Sequence, residues 1–346
     1  MAKLWGREWT RREIERRIGH PSQLGGITRL IHDDGPARGM RVFEIDTGSG
    51  LVFRVHPDRA LDIPDARFRG IPLGWRSPTG DVAPGFTEQR EVELLRSLPG
   101  GLLFTCGLTN VGPPSQNEKG DPLPIHGHVH SLAATEVGAW CEWESDDWVM
   151  RALGRVTQAR LFGEKLSLTR RITAVLGEPR LTIEDTVRNE GFSPTPLMIL
   201  HHMNLGTPLL SEEARIAVTS DETVEWHAER ATEPGDWQRF PAPEDDVGER
   251  VFFHRAAPDS QGRAEATLTN ETLAPLGLRG VRIRWATAEE PRMWQWVYAG
   301  SGGYVLGLEP TNAAAPGQSD ALTKGQRILE PGESVQLVIE VEVLTP

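Results

Sequence analysis

The sequence predicts an all-β protein, and three features carry that prediction. Short runs of apolar and β-branched residues recur along most of the chain, separated by turns that draw on 36 glycines and 26 prolines. Several runs alternate apolar and polar residues, as a strand with one buried face does. No long helical pattern stands between the runs, which disfavours alternating β-α-β units. We therefore expect antiparallel sheets that pack as a sandwich in one large domain.

The first 20 residues differ from the rest, and we predict a short N-terminal helical extension there. Ile14 and Ile18 stand four positions apart, which indicates a helix over residues 3–19 that ends before Pro21. Arginines and glutamates interleave along it, as is typical of a solvated helix face rather than of a nucleic-acid-binding arm. The remainder, residues 21–346, is predicted to form the β-sandwich domain.

We predict strands wherever a β-rich run lies between turn residues. In the last run, every odd position from Val335 to Val343 is apolar, so one face of that strand should be buried. A long loop over residues 111–124 and a surface segment over residues 229–249, rich in Pro, Asp and Glu, interrupt the pattern. The predicted strands cover residues 40–45, 51–55, 91–95, 102–108, 161–174, 180–187, 264–268, 281–285, 293–298, 303–308 and 334–344.

The composition disfavours several classes of protein. The formal net charge is −12, whereas a nucleic-acid-binding protein normally presents a basic surface to the phosphates. No stretch approaches ~18 consecutive apolar residues, so no membrane-spanning helix is predicted. Cys106 and Cys141 have neither metal-site nor redox-pair spacing. We expect a cytoplasmic protein with free thiols that binds neither nucleic acid nor membrane.

Tryptophan is unusually frequent, with 11 tryptophans against 2 tyrosines. An aromatic ring face can stack on the C–H face of a sugar, so this surplus fits a carbohydrate site. Core packing explains many tryptophans equally well. Trp296, in a predicted strand, is a candidate substrate-binding residue.

Two histidine groups stand beside loops where predicted strands end. His126, His128 and His130 follow the long loop, and their alternation suggests one face of a strand. His201 and His202 follow an apolar run. Because loops at strand ends often carry functional side chains, we predict that each group supplies a binding or catalytic residue.

Two further motifs carry carboxylates. Glu309 ends an apolar strand just before a proline, where burial would raise the pKa of its carboxyl group towards the range of a general base. Arg59 and Asp62 stand in a strand-to-turn segment. An arginine fork there suits sugar hydroxyls, although a structural Arg–Asp pair is equally compatible.

Several motifs together resemble the aldose 1-epimerase (galactose mutarotase) superfamily. The segment 182–191, followed by 196–206, is similar to its central motif, which ends in a His…Asn-Leu element. Leu308-Glu309-Pro310 resembles its C-terminal base motif, and His126-Gly127 resembles its first histidine motif. The resemblance implies a β-supersandwich of antiparallel sheets with a sugar cleft on a concave face.

The closer resemblance is to a bacterial branch that carries a DUF4432-type domain. Its pattern is similar to segments 59–63, 70–78 and 202–210 as well as to the motifs around His126 and Glu309, over roughly residues 20–345. The classical enzymes have their central histidine at a different offset, where Leu200 stands in this chain. A classical sugar-binding aspartate has no secure equivalent here.

The resemblance implies roles for individual residues. Glu309 would take the proton from the anomeric hydroxyl, His202 would protonate the ring oxygen, and His126 would hydrogen-bond that oxygen or its neighbour. Arg59 would position a hydroxyl. Residues Asp62, His128, His201, Asn204 and Trp296 complete the expected substrate-binding set, with His201 a rival to His202 as the acid. This mechanism needs no cofactor.

Two alternatives stay open. His126, His128, His202 and Glu309 would suit Mn²⁺, Fe²⁺ or Zn²⁺, and a metal-dependent sugar isomerase or epimerase would use such a site to polarise a carbonyl. A non-catalytic sugar-binding module would place tryptophans in the cleft without an acid–base pair. In each case the expected partner is a small-molecule monosaccharide, and a homodimer stays open.

Overall fold

The computed structural model describes residues 1–226 and 235–346. Residues 229–234 of the predicted surface segment therefore lie outside the described residues. The α-helices are α1 (Arg11–Glu15) and α2 (Gln318–Thr323). Short 3₁₀ helices cover Pro21–Gln23, Gly35–Ala37, Pro84–Phe86, Glu93–Arg96, Val129–Ser131, Asp236–Gln238 and Glu271–Leu276.

Strands dominate the described chain. Those of the first part are β1 (Ala2–Leu4), β2 (Arg7–Trp9), β3 (Gly26–Ile31), β4 (Arg41–Asp46), β5 (Leu51–His56), β6 (Asp62–Phe68), β7 (Ile71–Pro72), β8 (Phe104–Leu108), β9 (Ser115–Gln116), β10 (Pro122–Leu123), β11 (Thr135–Glu144), β12 (Asp147–Ala159) and β13 (Lys165–Val175). Those of the second part are β14 (Arg180–Asn189), β15 (Thr195–Pro196), β16 (Met198–Leu205), β17 (Arg215–Val218), β18 (Ser220–Glu225), β19 (Arg250–Ala256), β20 (Arg263–Thr269), β21 (Gly280–Ala286), β22 (Arg292–Tyr298), β23 (Val305–Thr311), β24 (Ile328–Leu329) and β25 (Ser334–Leu344).

Three antiparallel sheets form the body of the protein, which confirms the all-β prediction. The largest has eight strands in the order β11-β12-β13-β14-β25-β21-β20-β17. The second has six strands in the order β18-β19-β22-β23-β16-β8, and the third has five in the order β3-β4-β5-β6-β7. Their inner faces share one hydrophobic core, to which Phe53, Ile172, Met203 and Leu308 contribute.

Burial along the strands shows which faces are covered. In β25 the predicted alternation holds, since every odd position from Val335 to Val343 is buried and the even positions are more exposed. By contrast, every residue of β16 and β23 is buried. Both faces of these two neighbouring strands are therefore covered. One face packs on the core, and the opposite face forms the floor of the cavity described below.

A buried charge network joins the eight-stranded sheet to the six-stranded one. Arg170 on β13 donates two hydrogen bonds to the carboxylate of Asp185 on β14, at 2.8 and 2.6 Å. His201 on β16 bridges Asp185 and Glu290, at 2.9 and 2.7 Å. Burying several charges is costly unless each is paired. This network therefore holds the inner face of β16 in a fixed position against the eight-stranded sheet.

The N-terminal segment differs from the predicted helix. Residues 3–19 contain the β1–β2 hairpin and the short helix α1, which Thr10 caps through the backbone of Glu13. The indole of Trp9 donates to the carbonyl of Leu4 at 3.0 Å, and both residues belong to the main core. Tertiary packing of this hairpin outweighs the helical spacing. The predicted strand over residues 91–95 is also wrong, since a 3₁₀ helix begins at Glu93.

Candidate active site

The outer face of the six-stranded sheet carries a cavity of about 200 Å³. Its floor comes from side chains on four neighbouring strands, β19, β22, β23 and β16. Loops around residues 95–98, 112–113, 125–126 and 316 form the rim. The lining residues are Leu95, Leu98, Gly112, Pro113, Ile125, His126, His202, Trp226, Glu249, Val251, Phe253, Trp294, Trp296, Glu309 and Pro316.

His202 and Glu309 meet at the bottom of this cavity. Nε2 of His202 lies 3.1 Å from Oε1 of Glu309, and both side chains are almost fully buried. The contact does not have the geometry of a hydrogen bond, and within the described residues neither Oε1 of Glu309 nor Nδ1 of His202 has a hydrogen-bond partner. Buried polar atoms are normally paired. These two therefore have hydrogen-bonding capacity left for a ligand.

Gly307 makes room for the Glu309 carboxylate. The two residues stand two positions apart on β23, so their side-chain positions lie on the same face of the sheet. A Cβ atom at position 307 would fall on Oε1 of Glu309, closer than real Cβ atoms approach. The glycine thus allows the carboxylate to lie flat along the floor beside His202.

Burial shifts the pKa values of the pair in opposite directions. It raises the pKa of Glu309 well above its usual range, and Glu249 adds to that effect. It lowers the pKa of His202 well below its usual range, with His126 as a further cause. Both shifts disfavour the charged forms. Burial therefore favours the protonated carboxyl group of Glu309 beside the neutral ring of His202.

His126 reaches the cavity from a tight turn. Its backbone has φ 56°, and the ring lies 5.8 Å from that of His202, centroid to centroid. The backbone N–H of Gly112 donates to Nδ1 of His126 at 3.3 Å. Burial lowers the pKa of His126 to about 4. The neutral ring thus carries its proton on Nε2, which makes it a hydrogen-bond donor.

The predicted strand through the histidine motif is wrong. Gly127 follows His126 with φ 69°, and a 3₁₀ helix begins at Val129. A Cβ at Gly127 would collide with the carbonyl oxygen of Gly107, because this turn packs directly against β8. A sharp turn and a 3₁₀ helix cannot keep the two-residue repeat of a strand, so the three histidines do not share one face.

His128 and His130 accordingly lie outside the set of cavity-lining residues. Nδ1 of His128 pairs with Oε1 of Gln89 at 2.7 Å, and the His130 ring stacks on Phe104 at 5.1 Å. Over residues 1–226 and 235–346, the alternative metal set therefore does not assemble, since His128 is directed elsewhere.

Aromatic side chains form one wall of the cavity. The Trp296 ring packs edge-on to His202, with centroids 5.4 Å apart. Its indole N–H donates to Oε2 of Glu249 at 2.8 Å, which fixes the orientation of the ring. Trp294 and Phe253 lie beside it. The sequence-based prediction names Trp296 but not Trp294, although their two-residue spacing in a strand was a usable signal.

Arg59 and Asp62 are buried away from the cavity lining. The Arg59 guanidinium donates to three backbone carbonyls, those of His130, Val82 and Ser97, at 2.6, 2.7 and 3.2 Å. Burial lowers its pKa to about 10. Asp62 accepts hydrogen bonds from Thr105 on β8. In this structure both residues hold chain segments together.

His201 and Asn204 are also absent from the cavity lining. His201 is fully buried between carboxylates, which raise its pKa to about 9 although burial, the largest influence, acts in the opposite direction. Asn204 lies behind His202 and donates to the backbone carbonyl of that residue at 3.1 Å. The cavity thus gathers four of the nine predicted site residues: His126, His202, Trp296 and Glu309.

The arrangement of sheets and cavity defines a galactose mutarotase-like β-sandwich. A candidate aldose 1-epimerase from Klebsiella pneumoniae superposes with a TM-score of 0.83 at 22% identity, over 92% of this chain and 83% of that one. A galactose mutarotase-like protein from Clostridium acetobutylicum gives a TM-score of 0.62 at 14% identity, over 94% of this chain and 100% of that one. Galactose 1-epimerase from Lactobacillus acidophilus gives 0.60 at 12% identity, over 93% and 99%.

The chain belongs to the family described as "Domain of unknown function (DUF4432)", which matches residues 37–343. No curated protein matches the chain at a significant level. The identities to the solved structures are low, so these similarities establish the fold and leave the reaction to be argued from the cavity. No helix in the described ranges is long and apolar enough to cross a membrane.

Proposed function

We propose that this protein interconverts the anomers of a monosaccharide by acid–base chemistry, in the manner of an aldose 1-epimerase. The observation that carries the proposal is the contact of His202 Nε2 with Glu309 Oε1, 3.1 Å apart at the bottom of an aromatic-walled cavity. The volume, about 200 Å³, is below the roughly 300–1,000 Å³ of pockets for drug-sized ligands. A single sugar ring suits it better than an oligosaccharide.

The single proton on the pair matches the demands of ring opening. In the active form, Glu309 is the carboxylate and His202 the imidazolium. Glu309 takes the proton of the anomeric hydroxyl, the bond between the anomeric carbon and the ring oxygen breaks, and His202 gives its proton to that oxygen. After the aldehyde rotates, the reverse transfers close the ring with the opposite configuration. Each transfer is expected to contribute roughly 10²–10⁴-fold.

The direct contact between the two residues supports this exchange of roles. In the free protein, burial places the proton on Glu309, as the directions of both pKa shifts indicate. From this 3.1 Å contact, a reorientation of either side chain would align the pair for transfer of the proton to His202. A sugar hydroxyl that donates to Glu309 would favour its carboxylate form. Substrate binding would thus prepare the pair for ring opening.

His126 and Trp296 would bind the sugar around this pair. The Nε2–H of His126 is suited to donate to the ring oxygen or a neighbouring hydroxyl, since Nδ1 is engaged by Gly112. Trp296, held by Glu249, offers an apolar wall for C–H groups of the ring. This assignment requires no cofactor, because one carboxylate and one imidazole supply both proton transfers.

We also propose that the protein works in the cytoplasm. Cys106 and Cys141 are both unpaired, and Cys106 is buried. Free thiols are the norm in a reducing compartment, whereas secreted proteins tend to pair them.

The proposal is tested by NMR exchange spectroscopy on a panel of free monosaccharides. We expect accelerated exchange between α and β anomers of at least one sugar, and a loss of roughly 10²-fold or more in Glu309→Gln. Glu184→Gln, at an exposed position of β14 in the eight-stranded sheet, is the matched control and should keep full activity. Sugar binding without any acceleration would instead identify a binding module. Full activity in Glu309→Gln would overturn the mechanism.

A further inference from the structure

We propose that His32, His56 and Asp81 form a binding site for a divalent transition metal, Zn²⁺ above all, separate from the sugar cavity. One ligand atom from each of the three side chains lies within 4.8 Å of the other two. Across residues 1–226 and 235–346, no other group of three His, Cys, Asp or Glu side chains converges this closely. None of the three lines the cavity.

The fold brings these residues together from three separate segments. His32 directly follows β3, where its backbone exchanges hydrogen bonds with Met40 and Gly39. His56 is the last residue of β5. Asp81 belongs to the long connection between β7 and β8. The site therefore rests on the ends of β3 and β5, which flank β4 in the five-stranded sheet, and on one loop.

The distance between the imidazoles fits a shared metal. Nε2 of His32 lies 3.5 Å from Nε2 of His56, and the rings are nearly perpendicular at 85°. Tetrahedral zinc with Zn–N bonds of ~2.0–2.1 Å separates two ligand nitrogens by about 3.4 Å. A hydrogen bond between the two rings would be long at this distance. The two nitrogens thus already stand at the spacing of zinc ligands.

Asp81 adds the negative charge that a cation requires. Arg76 donates to both oxygens of Asp81 at 2.9 Å each, and this fork fixes the plane of the carboxylate. An ionised carboxylate has about four lone-pair positions, so two remain for a metal. Second-sphere hydrogen bonds of this kind orient metal ligands in many proteins. The positive charge of Arg76 would weaken the binding of a metal cation to Asp81 without blocking it.

Hydrogen bonds from Arg59 hold together the segments around the site. Arg59 donates to the carbonyl of Val82, next to Asp81, and also to those of Ser97 and His130. His56 is only 2% exposed, whereas His32 and Asp81 are half-buried. One side is therefore open to solvent. A metal held by two imidazoles and one carboxylate would complete its coordination there with water.

Such a metal would clamp the β7–β8 connection to the five-stranded sheet. Because it would bind the folded chain and not the unfolded one, it should raise the melting temperature. The same connection contributes Leu95 and Leu98 to the cavity rim. The metal would thus stabilise the loop that borders the sugar site without touching the sugar.

The test is isothermal titration calorimetry of the full chain, purified without a histidine tag and stripped with EDTA, with Zn²⁺ alone as the probe. We expect one Zn²⁺ per chain and a rise in melting temperature. Since loss of mere second-sphere partners costs roughly 10–100-fold in affinity, loss of a ligand in His32→Gln or Asp81→Asn should cost at least that. His20→Gln removes an exposed histidine elsewhere and should bind as the wild type does.

Two controls make the outcome decisive. Circular dichroism checks that each variant is folded. If His32→Gln does not fold, Asp81→Asn provides the test in its place, because residue 81 is half-buried and the substitution keeps the shape of the side chain. Absorption of the Co²⁺-loaded protein should show the d–d bands of a low-coordinate site in the wild type and in His202→Gln. Absence of stoichiometric Zn²⁺ binding in the wild type, or its loss in His202→Gln with retention in His32→Gln, would overturn the proposal.

Discussion

His201 and His202 are adjacent in β16, yet their rings lie on opposite faces of the six-stranded sheet. His201 points into the core, between Asp185 and Glu290, whereas His202 lines the cavity beside Glu309. A strand alternates its side chains in this way by geometry alone. We therefore expect the two histidines to have different roles, one in stability and one in the proposed chemistry.

Substitutions should separate these roles. His201→Gln removes the ring that joins two buried carboxylates, so we expect the free energy of unfolding to fall by about 3–5 kcal/mol. His202→Gln should leave stability nearly unchanged, because its ring makes no aligned hydrogen bond in the described structure, while anomer exchange is lost. Urea denaturation and NMR exchange measure the two effects. Equal loss of stability in both variants would contradict the assignment.

Stability should depend on pH through His201. Its pKa is raised from 6.5 to about 9 in the folded protein, where the carboxylates of Glu290 and Asp185 overcome the effect of burial. A raised pKa stabilises the fold fully below pH 6.5, and that contribution is lost as the pH rises to about 9. We expect the wild type to lose about 3 kcal/mol over this window. In His201→Gln the unfolding free energy should stay flatter over the same range.

Gly307→Ala should impair activity by displacing the Glu309 carboxylate. A methyl group at this position overlaps Oε1 of Glu309. We expect a fall of about tenfold or more in anomer exchange, because a catalytic group displaced by about 1 Å can lose up to ~10²-fold. Gly19→Ala is the control, since a Cβ there meets nothing within 4 Å. Wild-type exchange in Gly307→Ala would show that Glu309 does not need this space.

The pH profile of kcat/KM should be bell-shaped. The singly protonated pair exists between the lowered pKa of His202 and the raised pKa of Glu309. The two limbs belong to the pair as a coupled unit. His126 is neutral above its pKa of about 4, so it should add no inflection near pH 6.5. An inflection there that disappears in His126→Gln would contradict its role as a neutral donor.

Trp296→Ala should weaken sugar binding more than it slows the proton transfers. The ring forms an apolar wall next to His202, whereas Glu309 and His202 themselves stay in place. We expect KM for the preferred sugar to rise about tenfold with a smaller change in kcat, the pattern of lost ground-state binding. Trp140→Ala, at a side chain that is 39% exposed on another sheet, should change neither parameter.

The sequence by itself determined the fold class and named Glu309 and His202 as candidates for an acid–base pair, with His201 as a rival acid. Period-two alternation, as in Val335 to Val343, reports directly which strand face is buried, because side chains point alternately to the two faces. Glu309 and His202 could be named because each ends or follows an apolar run in a motif similar to that of a known superfamily. The spacing of Trp294 and Trp296 held a further signal of the same local kind.

Only the tertiary structure decided which of the predicted residues share a cavity. Arg59 and Asp62 are polar residues in a plausible motif, yet they hold buried backbone segments together. A local pattern cannot tell a ligand's hydroxyl from a carbonyl of the same chain, since both accept the same hydrogen bond. The pairing of His32 with His56 was equally invisible, because contacts between distant segments depend on how the strands pair and the sheets pack. The physical reason is the sequence distance over which each feature is set. The alternation of buried and exposed residues is set by neighbours within one strand, whereas a site combines side chains from several strands that are far apart in the sequence.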